Sequence, residues 1–250
     1  MPKLACALLI MQISTNARSE LAPTGKLRVG INFGNALLAN KTVGGVEEGI
    51  ALDLARELAR RLDVPLETVG YDSAGQMADA VSAGGWDVAF LATDPDRSNK
   101  ISFTPPYLEI DTTYLVPPGS VLHTLADVDR DGVRIAVSEK SAYDLFLTRS
   151  LKHATLVRVP GVNASIDLYL AQKVDALAGL RPTLVHAAAK QSGSHILEGN
   201  FTIVGQAIGI PKSRGAGAKY LREFVEDIKR SGLVAKIIDK NGIRGVAVGR

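Results

Sequence analysis

Arg97 is the side chain in this sequence best placed to hold a charged molecule. It follows the run AspValAlaPheLeuAla from Asp87, an unbroken apolar stretch of the kind that forms a buried parallel strand. Proteins of the α/β class present ligand-binding groups just beyond the carboxyl ends of such strands. A guanidinium is a planar fork of donors that matches a carboxylate bidentately. Thr93, directly after the strand, offers a hydroxyl to the same anion. Ser141 precedes a helical pattern starting at Ala142, so its hydroxyl and the free amides of that helix could serve an anion, although it also reads as a simple N-cap. Arg97 has a plainer reading too, as a surface arginine in a charged turn with Asp94, Asp96 and Lys100, where exposed ion pairs contribute little.

Other chemistries find no support. There is no GlyxSerxGly elbow, no P-loop, no dinucleotide fingerprint after a strand and no HisGluxxHis. His123, His153, His186 and His195 lack metal-ligand spacing, and the lone Cys6 cannot form an internal disulfide, so no metal and no cofactor is expected. The net charge of +3 comes from 29 basic and 26 acidic residues without a basic run, which argues against a nucleic-acid partner.

The elements that would position Arg97 are legible in the spacing. Lys26 to Asn32 reads as a strand. Ala51, Leu54, Ala55, Leu58 and Leu62 recur at helical spacing, Leu66 to Tyr71 reads as a strand, Gly75 to Ala83 as a helix, and the Asp87 run as a third strand. Strands at 134–137, 155–159 and 175–179 alternate with helices at 142–151 and 165–173, repeating the unit. An extended stretch from Thr202 to Ile210 and two amphipathic helices, around 220–229 and 233–240, close the chain. Hydrophobic residues make up 46% and aromatics 5%, so the core must be filled by Ala, Val, Leu and Ile, as where helices pack on buried parallel strands. The expected fold is therefore α/β, with two βαβ lobes, extended crossovers and a cleft between the lobes.

Residues 1–19 have the three-part shape of a secretory signal: Lys3, an apolar run from Leu4 to Ile13 broken only by Gln12, then a polar stretch. A cut after Ala17 meets the small-residue rule moderately. The apolar run is too short to span a bilayer.

Several stretches, in order and spacing, resemble the bacterial extracellular solute-binding proteins of the polar amino-acid uptake family, the soluble components of ABC importers. They are LysLeuArgValGlyIle at 26, GlyIleAlaLeuAspLeuAlaArgGluLeu at 49, AspValAlaPheLeu at 87, AspProAspArg followed by IleSerPheThrProProTyr through 107, and GlyLeuValAlaLysIleIle at 232. The resemblance implies a periplasmic binding protein-like fold crossed twice by the chain, with 26–115 plus 206–250 as the first lobe and 118–203 as the second. It implies a monomer that closes about hinges near Leu115 to Pro118 and Val204 to Gln206 and delivers a small carboxylate-bearing solute, an amino acid or related acid, to a membrane permease. Arg97 would be the carboxylate clamp, with Thr93 and Ser141 beside it. The same scaffold also resembles cyclohexadienyl dehydratase, for which Glu139 is the nearest candidate acid.

Departures from the family pattern matter equally. The stretch from the Asp87 strand to Arg97 is about two residues shorter than the commonest form. Where the family often places an aspartate for the ligand α-amino group, this chain has Leu180 and then Arg181. Arg181 is either a second anion-binding group or a surface residue paired with an acid. The aromatic positions that often sandwich the ligand fall near Asn35 and Ala74, with Phe33 close enough to substitute in part. The implied pocket is more polar and more positive than usual.

Overall fold

The computed structural model describes residues 13–250. The chain begins with α1 (Thr15–Leu21), β1 (Leu27–Asn32), a short hairpin of β2 (Asn40–Lys41) and β3 (Glu47–Glu48), α2 (Ile50–Leu62), β4 (Leu66–Tyr71), α3 (Ala74–Asp79) and β5 (Val88–Ala92). It then passes through β6 (Ile101–Phe103) and the long β7 (Leu108–Val116) into a second unit. That unit holds α4 (Leu125–Val128), β8 (Arg134–Ser138), α5 (Ala142–Ser150), β9 (Thr155–Val159), α6 (Val162–Leu170), β10 (Ala176–Leu180), α7 (Arg181–Ala188) and β11 (His195–Ile196). The chain returns through β12 (Thr202–Pro211) and ends with α8 (Gly215–Arg230), α9 (Leu233–Lys240) and β13 (Val246–Val248).

The internal repeat is visible in the strand order. The first unit has the parallel order β4-β1-β5 and the second β9-β8-β10, so in both the first strand is central and the third faces the crossovers. β5 and β10 are buried along their whole length, as their unbroken apolar sequences require. Between the units β7 and β12 run antiparallel, from Leu108 opposite Gln206 to Thr112 opposite Thr202. β12 also pairs with β5 from Gln206 to Gly209, and β7 with β10 from Thr112 to Leu115, so one sheet runs unbroken through the crossovers.

The helix spacing translates directly into packing. Ile50, Ala51, Leu54, Ala55, Leu58 and Leu62 of α2 are buried, whereas Arg61 on another face pairs with Glu57 and with Asp227 of α8. Gly49 starts this helix at φ 129°, and a Cβ there would lie 2.4 Å from the Leu38 carbonyl oxygen, so only glycine fits. Trp86 is fully buried beneath α3 and donates its indole N–H to the Met77 carbonyl at 2.8 Å.

Of the segment expected as a signal, residues 1–12 lie outside the described residues. The remainder enters α1, where Ala17 and Leu21 are buried and the helix packs on α8. Gly217 donates its N–H to the Glu20 carboxylate at 2.7 Å, and Arg214 donates to the Glu20 carbonyl at 2.8 Å. A cut after Ala17 would divide this helix. No described helix is long and apolar enough to cross a membrane.

Candidate functional site

Arg97 begins a single 3₁₀ turn just past β5, and only 7% of it is exposed. Its Nη1 donates to the Ala92 carbonyl at 2.8 Å, and its Nη2 donates across to the second lobe, to the Lys140 carbonyl at 2.7 Å. Among the described residues no carboxylate comes within ion-pair distance of it. Asp94, the obvious neighbour, is instead engaged by Arg149 at 2.8 Å. Burial pulls the Arg97 pKa down to about 10 against the opposing fields of Asp94 and Asp79, which leaves it cationic at neutral pH. Two carbonyls use two of its five N–H groups, so donors remain for an anion.

Arg97 opens onto a cavity between the lobes. The first lobe contributes Asn32 and Asn35 from the end of β1 and the loop after it, Leu38, Ala39, Ala51, Ala74, Met77, and Phe90 to Ala92 of β5. The second contributes Ala142, Tyr143 and Leu180, and the returning crossover adds Val204 and Gln206. Its volume is about 50 Å³, room for roughly three or four water molecules, so the lobes stand close together. Close interlobe packing is seen at Gly75 as well, where a Cβ would come within 2.7 Å of the Lys140 Cβ. Lys140 Nζ pairs with Asp79 at 2.7 Å, and Arg149 of α5 reaches Asp94 and Asp96 beyond β5.

Beside Arg97 the polar side chains that line the cavity are neutral: three amides and a phenol. Asn35 and Gln206 are at least nine-tenths buried, and neither side-chain amide makes a hydrogen bond among the described residues. Asn32, also in the lining, accepts from the Gly34 N–H at 3.0 Å through Oδ1, and its NH₂ makes no hydrogen bond among the described residues. Burial pushes the Tyr143 phenol up to about 12, with the Ser141 and Ser138 hydroxyls pulling it the other way, so it stays neutral. One guanidinium and three amides make a site for a single anion with neutral polar groups beside it.

Of the residues singled out in the sequence, Arg97, Asn35, Ala74 and Leu180 line this cavity, whereas Thr93, Ser141, Phe33 and Arg181 do not. Thr93 turns to the crossover, its N–H donating to the Gly205 carbonyl at 2.9 Å and its hydroxyl lying 3.4 Å from the same oxygen. Ser141 is buried as the N-cap of α5, accepting from the Asp144 N–H at 3.1 Å. Phe33 packs away from the cavity against Gly70, with Lys41 Nζ 4.4 Å over its ring. Arg181 lies at the start of α7 and donates to the Gly199 carbonyl, so it adds no second charge. The lining is mostly apolar, and the expectation of an unusually polar and positive pocket is corrected: its charge is Arg97 alone. Asn32, Gln206 and Tyr143 were not anticipated. Gln206 sits where β12 rejoins β5, a position that only the pairing of a distant crossover reveals.

Residues 27–242 match the sequence profile of the bacterial extracellular solute-binding proteins, family 3. The chain belongs to that family. Among curated proteins none matches it. Solved structures share the fold. The solute receptor for L-cysteine of Neisseria gonorrhoeae superposes with a TM-score of 0.79 at 19% identity, covering 91% of this chain and 93% of that one. An ancestral amino-acid-binding protein, a precursor of cyclohexadienyl dehydratase, gives 0.77 at 22% identity over 89% and 98% of the two chains. A binding component of an ABC transporter from Wolinella succinogenes, complexed with lysine, gives 0.76 at 22% identity over 87% and 95%. In this solute-binding protein the two-lobed fold is that of amino-acid-binding proteins.

Proposed function

We propose that this solute-binding protein serves an ABC importer, capturing a small carboxylate-bearing solute in the periplasm by closure of its lobes and presenting it to a membrane permease as a monomer. The observation that carries the reading is the buried, unpaired Arg97 at the interlobe cavity. A cation taken out of water without a carboxylate is costly, and a ligand carboxylate supplies the missing partner in a charge-assisted, bidentate pair. We place the hinge around Asp111 and Ile203, which pair with each other between Ile110, held by Val246 of β13, and Thr112, held by Leu180 of β10. Leu115 is already fastened to Leu177 of the second unit, so the flexure lies ahead of Leu115 to Pro118. The second lobe then runs from about residue 113 to 201. A secretory signal fits the apolar N-terminus, with the cut ahead of Ser14 so that α1 survives whole.

Binding without chemistry is favoured over dehydration of a cyclohexadienyl acid. Glu139, the candidate acid, is exposed and does not line the cavity, and Asp144 is held by Arg158 at 2.9 Å and by the Lys140 N–H at 2.7 Å. Among the described residues no carboxylate lines the cavity for general acid work.

Protein unfolded and refolded to strip bound solute, then screened with small carboxylates by thermal shift, tests the reading. A ligand at a hundredfold over its Kd stabilises by about 2.7 kcal/mol. Arg97→Ala should abolish the response, a loss of about 2 to 5 kcal/mol in affinity. Undiminished affinity in calorimetry would overturn the assignment. Small-angle scattering should show a smaller radius of gyration with ligand bound.

A further inference from the structure

The balance of charge inside the cavity names the ligand class more narrowly. Among the described residues Arg97 is its only charged group, and no Asp or Glu lines it. The acids nearest in the chain are spent elsewhere: Asp94 on Arg149, and Asp144 on Arg158 and the Lys140 N–H. Where β10 ends and the second lobe faces the cleft, Leu180 is buried and apolar. A ligand carboxylate would neutralise Arg97 and complete the electrostatics of the site. Any further charge on the ligand would be buried without a counterion, at a cost that neutral amides repay only in part.

We propose, building on the reading of Arg97 as the carboxylate anchor, that the solute is a short monocarboxylate without an α-ammonium group, a 2-oxo or 2-hydroxy acid with a small apolar chain. The 2-oxygen answers the polar groups that have no partner in the protein. Asn35 and Gln206 each bring two amide donors and a carbonyl acceptor to the cavity, so they match a carbonyl or a hydroxyl equally well. Met77, Phe90, Leu180 and Val204 line the rest and suit a methyl or ethyl group. The small volume, about 50 Å³ between lobes that stand close together, agrees with a small solute. A dicarboxylate is excluded by the same balance that excludes an amine. Arg181, the other arginine near this edge of the second lobe, is engaged with Gly199 and outside the cavity.

Matched pairs titrated calorimetrically into refolded protein provide the test: pyruvate against L-alanine, and 2-oxobutyrate against L-2-aminobutyrate, with lactate and malonate as further arms. We expect the oxo acid of each pair to bind at least tenfold more tightly than its amino acid, lactate to follow pyruvate, malonate to bind weakly, and Arg97→Ala to remove binding of all. Amino acids that bind more tightly than their oxo acids, with the affinity lost in Arg97→Ala, would overturn this inference while leaving the carboxylate anchor standing. If no member of the panel binds, or if binding survives Arg97→Ala, the anchor and the inference built on it both fall.

Discussion

A single strand, β5, buries a charge at each end, and the two ends are built in opposite ways. At its entrance the fully buried Asp87 carboxylate accepts from Arg28 Nε at 3.0 Å, from Arg28 Nη2 at 3.2 Å, from the Arg28 N–H at 3.3 Å and from Arg214 Nη1 at 3.0 Å. At its exit Arg97, nearly as buried, meets two carbonyl oxygens and, among the described residues, no carboxylate. The first arrangement is complete within the protein and joins β1, β5 and the start of α8. The second is complete only with something added. Where a buried charge finds its counterion inside the chain it serves the fold, and where it does not it points to a ligand.

The contrast predicts different losses at the two ends. Removing Asp87 should have the largest effect: Asp87→Ala leaves Arg28 and Arg214 without their shared partner and should cost about 3 to 5 kcal/mol of stability in urea unfolding. Any protein that still folds should keep its affinity for ligand, because the lesion lies at the far end of the strand. The exit should instead respond to pH through binding. Ligand binding needs protonated Arg97, so affinity measured in calorimetry should hold through neutral pH and fall as the pH rises past about 10, up to about tenfold for each further unit. An affinity flat through that range would deny Arg97 its role.

Smaller effects separate neighbours of Arg97 that support the fold from those that touch solute. Ser141→Ala removes the N-cap of α5 and should lower stability by about 1 kcal/mol. Affinity in the same variant should barely change, since Ser141 does not line the cavity. Asp79→Asn breaks an exposed interlobe pair with Lys140 and should shift the balance of open and closed forms by less than about 1 kcal/mol, read by scattering of the ligand-free protein.

The sequence made β5 and its exit readable, but not the pairing of Asp87 with Arg28 and Arg214 at its entrance. The apolar run after Asp87, the helical spacing of α2 and the repetition of the unit in the second half all survive in the structure, with strands at 66–71 and 155–159 and a helix at 233–240 bounded as expected. Local patterns reach that far because amphipathic periodicity depends only on which face is buried. Helix α7 escaped because Arg181 to Ala188 carries a weak apolar stripe and follows β10 without a loop, so nothing marked a boundary. The cavity was harder. Arg97 was legible from its place after a buried strand, but Gln206 and Asn32 become neighbours of Arg97 only through the pairing of β12 and β1 with β5. Phe33 and Arg181 failed to reach the cavity for a similar reason, since the direction in which a side chain leaves the backbone at a strand end or first helical turn is set by tertiary contacts such as Gly70 and Gly199.

Thermal unfolding of Arg97→Met, with and without a carboxylate that stabilises the wild type, tests the central claim most directly. Methionine fills much of the space and removes the buried charge. Without ligand, the variant should be as stable as the wild type or more so, by up to about 4 kcal/mol, and the stabilisation by carboxylate should vanish. A variant several degrees less stable than the wild type, yet still stabilised by the same carboxylate, would show that Arg97 serves the fold as Asp87 does, and the distinction between the two ends of β5 would be lost.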